Sequence, residues 1–483
     1  MLPKPPACVG CPLYGDGRGF VPDELRNGAE VLITGQIPGV EEEEQGRPFV
    51  GKTGEVMMAK YMRDAGLTRD EVSLSNALRC RWKHANDLPP VTEKITKAAL
   101  AHCNRVHGRI PDGTRLIVSQ GDYAAVTLTG ETVSAGDKST GWRGYLRPAL
   151  VQGAPSARGV QEPWVPQSAD LPVLLTVHLA RLFREPWYTL PTRLDWAKIP
   201  RILARTWPRK PPKFTLKAPQ VWPEVFAFDT EFWHENGAAP TSARLIRWSA
   251  SWGTGDGETC VVEAERSALP RVNSSGPRPR VITQYAPADV HHLARLTGTT
   301  WRTAKQYSHA SSDSSTGVGE LEGSQAPASV WDSYLIEDTV WKHAVLWSDH
   351  PHDLNYLGSL YSSFNRWKHL GESDPILYSG LDAVGLLEVD GALERELDAD
   401  PRSRHVWTSI DRPVLREFVT AQYLGLRVNG VRVKEVVDLL QTQASDAELR
   451  AQAICGWPLN VGSNLQVSHR LFEVEGIKPP RKR

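Results

Sequence analysis

The sequence predicts an α/β protein that folds as about three domains. Apolar runs at residues 29–36, 116–121 and 173–178 each close on a glycine or a polar residue, and helical stretches such as residues 56–66 separate them. This alternation is typical of parallel strands in an α/β sheet, where functional loops follow the strand ends. The length of 483 residues exceeds what one hydrophobic core usually supports.

The overall charge gives no indication of a polyanionic partner. Lys and Arg together number 56, as do Asp and Glu, so any nucleic-acid surface has to be local. The N-terminus lacks the apolar core of a signal peptide, and no run of about 18 apolar residues occurs. We therefore expect a cytoplasmic protein with no membrane partner.

Four of the six cysteines have a spacing that indicates a metal or cluster site. Cys8 and Cys11 form a C-x2-C pair, and Cys80 and Cys103 follow in the same segment. Four thiolates hold either a tetrahedral zinc ion or a [4Fe-4S] cluster, and spacing alone does not separate these two. Unrelated buried cysteines are the third alternative.

Four motifs follow one another in the N-terminal segment. They are CVGCPL at 8–13, GQIPGVEEEEQGRPFVGKTG at 35–54, SNALRC at 75–80 and TVHLARLFREP at 176–186. In order and approximate spacing they resemble the motifs of the family 4, iron-sulfur uracil-DNA glycosylases. The resemblance implies an α/β/α domain, placed at residues 1–195, a [4Fe-4S] cluster on the four cysteines, and hydrolysis of the N-glycosidic bond of uracil in DNA.

The chemistry of uracil excision gives roles to residues within these motifs. The flipped base needs a stacking face, which Phe49 offers, and an amide that distinguishes it from cytosine, which Asn76 offers. His178 is placed to bond the uracil O2, where negative charge develops. The four consecutive glutamates are otherwise typical of a solvated loop. Register with the family motif selects Glu42 either to hold the attacking water or to stabilise the oxocarbenium-like sugar. Gln36, where the family commonly has an acid, is a further base-binding candidate.

Residues 196–222 differ in composition from the segments on either side. They are rich in proline and basic residues, which predicts a semi-rigid linker. Its lysines and arginines are suited to following phosphates without reading the base sequence.

A second group of carboxylates follows the linker. Asp229 and Glu231 in VFAFDTEF lie two residues apart and therefore on one face of a predicted strand, where they need neutralising cations. Asp289 lies in VITQYAPADVHHL. Tyr378 and Asp382 lie four residues apart, on one face of a predicted helix.

This second set resembles the DEDDy 3′-5′ exonucleases attached to family A DNA polymerases. The resemblance implies an RNase H-like α/β domain, placed at residues 223–400. Within it, the Ser- and Gly-rich composition of residues 300–328 predicts a mobile loop. It also implies that Asp229, Glu231, Asp289 and Asp382 bind two divalent metal ions, Mg²⁺ or Mn²⁺. Tyr378 would then orient the attacking water.

The last segment, residues 401–483, contains SIDRPVLREFVTAQYLGLRVNGVRVKEVVDLL at 409–440 and WPLNVGSNLQVSHRLFEVEGIKPPRKR at 457–483. These stretches resemble the start of a family A polymerase domain, where the thumb helices begin. The segment predicts a mostly helical region, with an amphipathic helix at residues 433–455 that Gly456 ends. The catalytic part of such a polymerase would lie on a separate chain, which is therefore an expected partner. A basic tail closing a helical cap is the simpler alternative.

Together these features predict a protein of DNA repair or replication, in a bacterial or phage-infected host cell. It would combine uracil excision with 3′-5′ exonuclease activity, acting on uracil-containing DNA and on single-stranded 3′ ends. The alternative is a non-catalytic uracil- or DNA-binding module tethered to an exonuclease that belongs to a split or truncated family A polymerase. Gln36 and Leu179, which depart from the glycosylase family pattern, keep this alternative open.

Overall fold

The described residues form two five-stranded sheets, two two-stranded sheets and a helical C-terminal region in a computed structural model. The chain forms two units, Met1–Thr420 and Ala421–Arg483, and the first contains both five-stranded sheets. The mixed α/β fold class is confirmed, whereas the predicted domain boundaries stay predictions. The predicted mobile loop at 300–328 lies outside the described residues, which are 2–15, 17–82, 90–133, 141–152, 164–166, 171–233, 243–253, 257–263, 270–272, 276–299, 329–424 and 428–478.

The strands are β1 (Gly17–Phe20), β2 (Val31–Gly35), β3 (Val72–Asn76), β4 (Cys80–Trp82), β5 (Leu116–Gln120), β6 (Leu146–Pro148), β7 (Leu150–Gln152), β8 (Trp164–Pro166), β9 (Pro172–Thr176), β10 (Val225–Trp233), β11 (Arg244–Trp252), β12 (Glu258–Glu263), β13 (Arg280–Thr283) and β14 (Leu335–Asp338). The α-helices are α1 (Val40–Gln45), α2 (Ala59–Asp64), α3 (Lys94–His107), α4 (Asp122–Thr129), α5 (Thr189–Trp196), α6 (Ile199–Leu203), α7 (Ala286–Thr297), α8 (Val330–Ser333), α9 (Thr339–Leu346), α10 (Leu354–Tyr361), α11 (Pro375–Ala399), α12 (Pro401–Val406), α13 (Arg412–Leu424), α14 (Gly430–Cys455) and α15 (Asn464–Ser468).

The first sheet has the strand order β3-β2-β5-β9-β6. The three predicted apolar runs form β2, β5 and β9, which pair in parallel, and β6 adds an antiparallel edge. Every residue of β2, β3 and β5 is buried, as expected for a parallel sheet covered on both faces. The parallel strands therefore end at one edge, where the predicted glycosylase motifs lie.

The second sheet has the order β12-β11-β10-β13-β14. Its central strand β10 pairs antiparallel with β11 and parallel with β13. Helix α11 packs across β10 and β11, and the Ser249 hydroxyl of β11 donates to the Ser379 carbonyl of α11 at 2.8 Å. This contact brings the predicted Tyr378–Asp382 face of the helix over the Asp229 strand.

The segment predicted as a linker, residues 196–222, is packed between the two sheets. Its Trp207 and Trp222 side chains are buried, and Trp207 Nε1 donates to the Ser362 carbonyl at 3.3 Å. Lys198 Nζ donates to the carbonyls of Gly144, at 2.5 Å, and Ser359, at 2.6 Å. This segment therefore connects the first sheet to the helices beside the second.

The second unit, Ala421–Arg483, contains the predicted amphipathic helix. It is observed as α14, and Gly456 ends it in the left-handed conformation with φ 71°. None of the residues of α14, all of which the structure describes, is buried.

A buried ion network fixes the helices behind the second sheet. Lys342 Nζ lies 2.7 Å from a Glu337 oxygen and 2.6 Å from oxygens of both Asp390 and Glu394, and the Lys342 side chain is fully buried. Arg412 also pairs with Glu337, at 3.1 Å. The network therefore connects β14, α9, α11 and α13.

We expect Lys342→Met to destabilise the protein by about 3–5 kcal/mol, because it leaves buried carboxylates without their shared cation. The measurement is the urea-unfolding midpoint followed by circular dichroism. The matched control is Lys434→Met, whose partner Asp438 lies on the exposed surface of α14 and whose loss should cost less than about 1 kcal/mol. Equal midpoints for the two variants would contradict a structural role of the network.

Candidate active sites

The ends of β2 and β3 bring two predicted base-binding residues together. Gly35 and Asn76 are paired at the last position of these strands. A Cβ atom at Gly35 would overlap the Asn76 Oδ1 atom and lie 2.7 Å from the Phe49 Cζ atom. Gly35 therefore allows the Phe49 ring and the Asn76 amide to meet, as the prediction for both residues requires.

Phe49 is held in an unfavourable backbone conformation. Its φ of 54° lies in the left-handed region that residues with a side chain rarely adopt. The Phe49 amide donates to Glu42 Oε1, and Arg69 Nη1 donates to the Phe49 carbonyl at 2.9 Å. Two charged side chains thus fix the peptide groups on both sides of the ring. Arg69 could not be predicted from the sequence, because its role depends on a contact with a residue 20 positions away in the chain.

The four glutamates differ in their environments. The carboxylate of Glu42 accepts the amides of both Gly39 and Phe49, whereas that of Glu43 is buried and accepts the Gly19 amide at 2.8 Å. Glu41 and Glu44 are exposed. Burial raises the pKa of Glu42, and the two amide bonds oppose that rise. Glu42 is therefore the member of the run that contacts the predicted base site.

Gln36 lies against the start of α4. Its Oε1 accepts the Tyr123 amide at 3.3 Å, and a Cβ atom at Gly121 would lie 2.7 Å from the Gln36 Cδ atom. The side-chain carbonyl of Gln36 thus accepts a hydrogen bond from the first turn of α4. Direct binding of a base by Gln36 stays a prediction.

His178 lies beyond the end of β9, at the same sheet edge but three strand positions from Asn76. It precedes a 3-10 helix, Leu179–Phe183, and its Nδ1 accepts the Ala180 amide at 3.3 Å. Burial, with a smaller effect of Arg184, lowers its pKa to about 4. The imidazole is therefore neutral near pH 7, with its remaining proton on Nε2.

The four predicted cluster ligands line one small cavity. Cys8, Cys11, Cys80 and Cys103 surround it, and His107 Nε2 lies 3.1 Å from the Cys8 sulfur. Burial and the neighbouring thiols raise the pKa of Cys80 to about 12, which a bound cation would reverse.

The spacing of these sulfur atoms is informative about the bound group. A tetrahedral zinc site with Zn–S bonds near 2.3 Å would place its sulfurs about 3.8 Å apart. Among the described residues, only Asp229, Glu231 and Asp382 bring three ligand atoms within 4.8 Å of one another, so the cysteine sulfurs are spread more widely. The identity of the group that these four cysteines hold, a [4Fe-4S] cluster or a zinc ion, stays a prediction.

Three of the four predicted metal ligands converge on the second sheet. One ligand atom each of Asp229 and Glu231 on β10 and of Asp382 on α11 lies within 4.8 Å of the others. Burial, followed by the charges of Asp382 and Asp289, raises the pKa of Asp229 well above its usual range. A divalent cation would relieve this repulsion, so the donor set fits the predicted metal.

Asp289 lies outside that group of three. Its Oδ1 accepts the Thr230 hydroxyl at 2.7 Å, and its carboxylate is buried on the first turn of α7. Burial raises its pKa to about 7. A role for Asp289 as a metal ligand stays a prediction.

Lys368 and Trp367 complete the surroundings of Asp382, and sequence analysis missed both. Lys368 Nζ lies 2.5 Å from Asp382 Oδ1 and 3.1 Å from the Tyr378 hydroxyl, while Trp367 Nε1 donates to Asp382 at 2.6 Å. Burial lowers the pKa of Lys368, but Asp382 and Tyr378 outweigh that effect and raise it. No local pattern in the sequence predicts this contact between Lys368, in a loop, and Asp382, in a helix.

Comparisons with known proteins found similarity to uracil-DNA glycosylases in the N-terminal region. The family description "Uracil DNA glycosylase superfamily" matches residues 22–188. The type-4 uracil-DNA glycosylase of Sulfurisphaera tokodaii is 34% identical over 90 residues, 19% of this chain and 40% of that protein. The Archaeoglobus fulgidus type-4 enzyme is 29% identical over 119 residues, 25% of this chain and 57% of its own.

Similarity beyond these glycosylases is weaker. DNA polymerase I of Chloroflexus aurantiacus is 24% identical over 102 residues, 21% of this chain and 11% of the polymerase. The solved structure of Brucella melitensis NrnC with bound Mg²⁺ superposes on 44% of this chain and 89% of its own, with 17% identity and a TM-score of 0.28.

The chain spans between 40% and 57% of the length of the type-4 relatives from Sulfurisphaera tokodaii and Archaeoglobus fulgidus. Within the described residues, no helix combines the length and the apolar character needed to cross a membrane. The N-terminal region is thus similar to the uracil DNA glycosylase superfamily over residues 22–188, and type-4 enzymes are among its relatives.

Proposed function

We propose that residues 1–195 excise uracil from DNA by hydrolysing its N-glycosidic bond. The meeting of Phe49 and Asn76 over Gly35, within the segment that matches the superfamily, is the observation that carries this proposal. An aromatic ring and a carboxamide at a strand end are what a flipped pyrimidine needs for stacking and for reading its edge.

In this proposal, the Asn76 amide accepts the N3–H of the flipped base and donates to O4. Cytosine presents the opposite pattern of donor and acceptor at these positions, so it is rejected. His178, neutral with its proton on Nε2, donates to the uracil O2 as the departing base gains negative charge. A neutral donor suits this step because the base leaves as an anion that needs a hydrogen bond rather than a proton.

Glu42 has two proposed roles. Its bonds to the amides of Gly39 and Phe49 support a positioning role, since they hold the strained Phe49 backbone. A carboxylate has about four lone-pair sites, so Glu42 retains capacity to orient the attacking water. The four cysteines would hold a [4Fe-4S] cluster that fixes the N-terminal residues against β4 and α3.

We expect His178→Ala to lower the rate of uracil excision by about 10²–10³-fold, the usual cost of removing one donor to a developing anion. Because the pKa of His178 is about 4, the wild-type rate should not change through the ordinary histidine pKa of 6.5. The measurement is single-turnover excision from pH 5.5 to 8, with exposed His405→Ala as the control. A rate that falls as the pH rises past 6.5 would indicate an imidazolium donor instead.

One substrate separates excision from the alternative, a module that binds uracil without catalysis. A 5′-labelled duplex with a single uracil is incubated with the protein and then treated with alkali. We expect strand cleavage at the uracil position with the wild type and at least about 100-fold less with Asn76→Ala, which cannot read the base. Tight binding by the wild type without any abasic product would favour the alternative.

We further propose a second activity, metal-dependent 3′-5′ exonuclease, at Asp229, Glu231 and Asp382. The convergence of these carboxylates supports it. A bound divalent ion would lower the pKa of water and stabilise the leaving 3′ oxygen. In this proposal the Tyr378 hydroxyl, which accepts a hydrogen bond from Lys368 Nζ at 3.1 Å, orients the attacking water.

We expect Asp229→Ala to reduce metal-dependent 3′ shortening of single-stranded DNA by about 100-fold or more, because it removes a central metal ligand. Uracil excision by the same variant should remain at the wild-type level. Asp332→Ala is the matched control, since Asp332 is exposed on α8. Shortening is followed on a 5′-labelled oligonucleotide with Mg²⁺ or Mn²⁺, and retained shortening by Asp229→Ala would contradict the assignment.

A further inference from the structure

A large cleft within the Met1–Thr420 unit lies between residues that neighbour the carboxylate site and residues of the first sheet. Its volume is about 1040 Å³, at the top of the range for ligand pockets, about 300–1,000 Å³. Lys368 and Tyr378, which contact Asp382 or each other, line it on the side of the second sheet. Glu131, Trp142 and Arg147, from the segment between α4 and the end of β6, line it on the other side.

Cationic side chains are grouped around one aromatic ring in this cleft. The guanidinium groups of Arg147 and Arg366 lie over the Trp142 ring, 4.4 Å and 4.7 Å from its centroid, and the His369 ring is 5.5 Å away. Trp142 thus orients two arginines that come from different halves of the unit. Oriented guanidinium groups suit phosphate groups, which they bind through paired hydrogen bonds.

Two carboxylates also line the cleft, and both have partners. Glu131 lies 2.9 Å from Arg147, and Asp353 caps α10 by accepting the Tyr356 amide at 3.0 Å. The lining is therefore mixed in charge rather than uniformly basic. Glu131 would compete with a phosphate for Arg147. Replacing the Glu131 carboxylate should therefore strengthen DNA binding.

Two further side chains indicate that the ligand has bases as well as phosphates. Asn355 lines the cleft with only 7% of its surface exposed, and its Oδ1 has no hydrogen-bond partner. An unsatisfied buried carbonyl is costly, and a base N–H would satisfy it. Tyr285, 45% exposed on the same lining, offers a stacking surface.

The wall formed by the first sheet is fixed to the second half of the unit. The Leu146 amide donates to Asn365 Oδ1 at 2.9 Å, and Asn365 Nδ2 donates back to the Leu146 carbonyl at 3.0 Å. The Tyr145 hydroxyl donates to the Asn355 carbonyl at 2.7 Å. Arg147 thus directly follows two residues, Tyr145 and Leu146, that are hydrogen-bonded to the opposite side of the cleft.

We propose that this cleft binds the 3′-terminal stretch of single-stranded DNA and leads it to the carboxylate site, with Arg147 of the glycosylase-like half as a phosphate-binding residue. The nuclease substrate site is then composite, built by both sheets. This inference rests on the proposed exonuclease function, and it adds that the N-terminal half takes part in it.

The test uses the full chain and a fluorescein-labelled oligothymidylate, with binding measured by anisotropy in Ca²⁺ and shortening measured in Mg²⁺. We expect Arg147→Ala to raise both Kd and KM about tenfold, with kcat within about twofold of wild type. The slope of log Kd against log salt should fall by about 0.7, as for one lost phosphate contact on a single strand. Arg147→Lys should recover part of the affinity.

Two further variants control this result. Arg115→Ala removes a half-exposed arginine that pairs with Glu30 away from the cleft, and it should leave Kd and KM unchanged. Glu131→Gln should lower Kd about threefold, because it releases Arg147 for phosphate. A merely structural role of this pair would not predict tighter binding.

The outcomes separate this inference from the proposed nuclease activity. If the wild type shortens DNA and Arg147→Ala has an unchanged Kd, KM and salt slope, the composite cleft is wrong and the nuclease assignment stands. If the wild type does not shorten DNA, the nuclease assignment fails. The effect of Arg147→Ala on the Kd for DNA then decides whether the cleft binds a strand. A weaker Kd with the reduced salt slope then supports the cleft as a strand-binding site, and an unchanged Kd overturns it.

Discussion

The buried cluster around Asp195 is the interaction on which the arrangement of the two sheets depends. The Asp195 side chain is fully buried, 2.8 Å from Arg143 and 3.9 Å from Lys198, and both cations also donate to Ser359 of α10. Gly144 has a φ of 76°, and a Cβ atom there would overlap Asp195 Oδ1. Burial lowers the pKa of Lys198 to about 7, although Asp195 opposes that shift. Such a cluster contributes little net stability compared with apolar packing, but it accepts only one geometry.

A single arrangement of the two five-stranded sheets matters because each candidate site depends on groups that are far apart in the chain. The carboxylate site needs β10 and α11 in register, and the cleft needs β6 beside the residues that follow α10. A flexible connection through residues 196–222 would leave these surfaces free to move apart. Trp207 and Lys198 of that segment are buried, so the segment is packed in place although its composition is typical of a linker. The two proposed activities therefore share one compact unit, Met1–Thr420.

The parts of the structure that could be predicted from sequence are those that local pattern determines. The apolar runs gave the central strands, the two-residue spacing of Asp229 and Glu231 gave a shared strand face, and Gly456 gave the end of α14. Contacts between distant segments could not be predicted in this way. The hydrogen bonds from Lys368 to Asp382 and from Thr230 to Asp289 both depend on the packing of segments that are distant in the sequence. The packing of residues 196–222 was missed because prolines and basic residues obscure the few tryptophans that anchor it.

The departures from the glycosylase pattern have different consequences once the structure is considered. Leu179 occupies the first position of the short helix after His178, where a proline is favoured because its missing amide proton is not needed there. Leu179 is fully buried, and His178 still caps the helix through Nδ1, so packing replaces the stiffness of a proline ring. Gln36 differs, because its carbonyl oxygen is used by the Tyr123 amide, a bond that a carboxylate would also make. What changes at position 36 is therefore the charge near the base site rather than the geometry. Loss of a negative charge there would ease the departure of an anionic base, which argues that this substitution is compatible with excision.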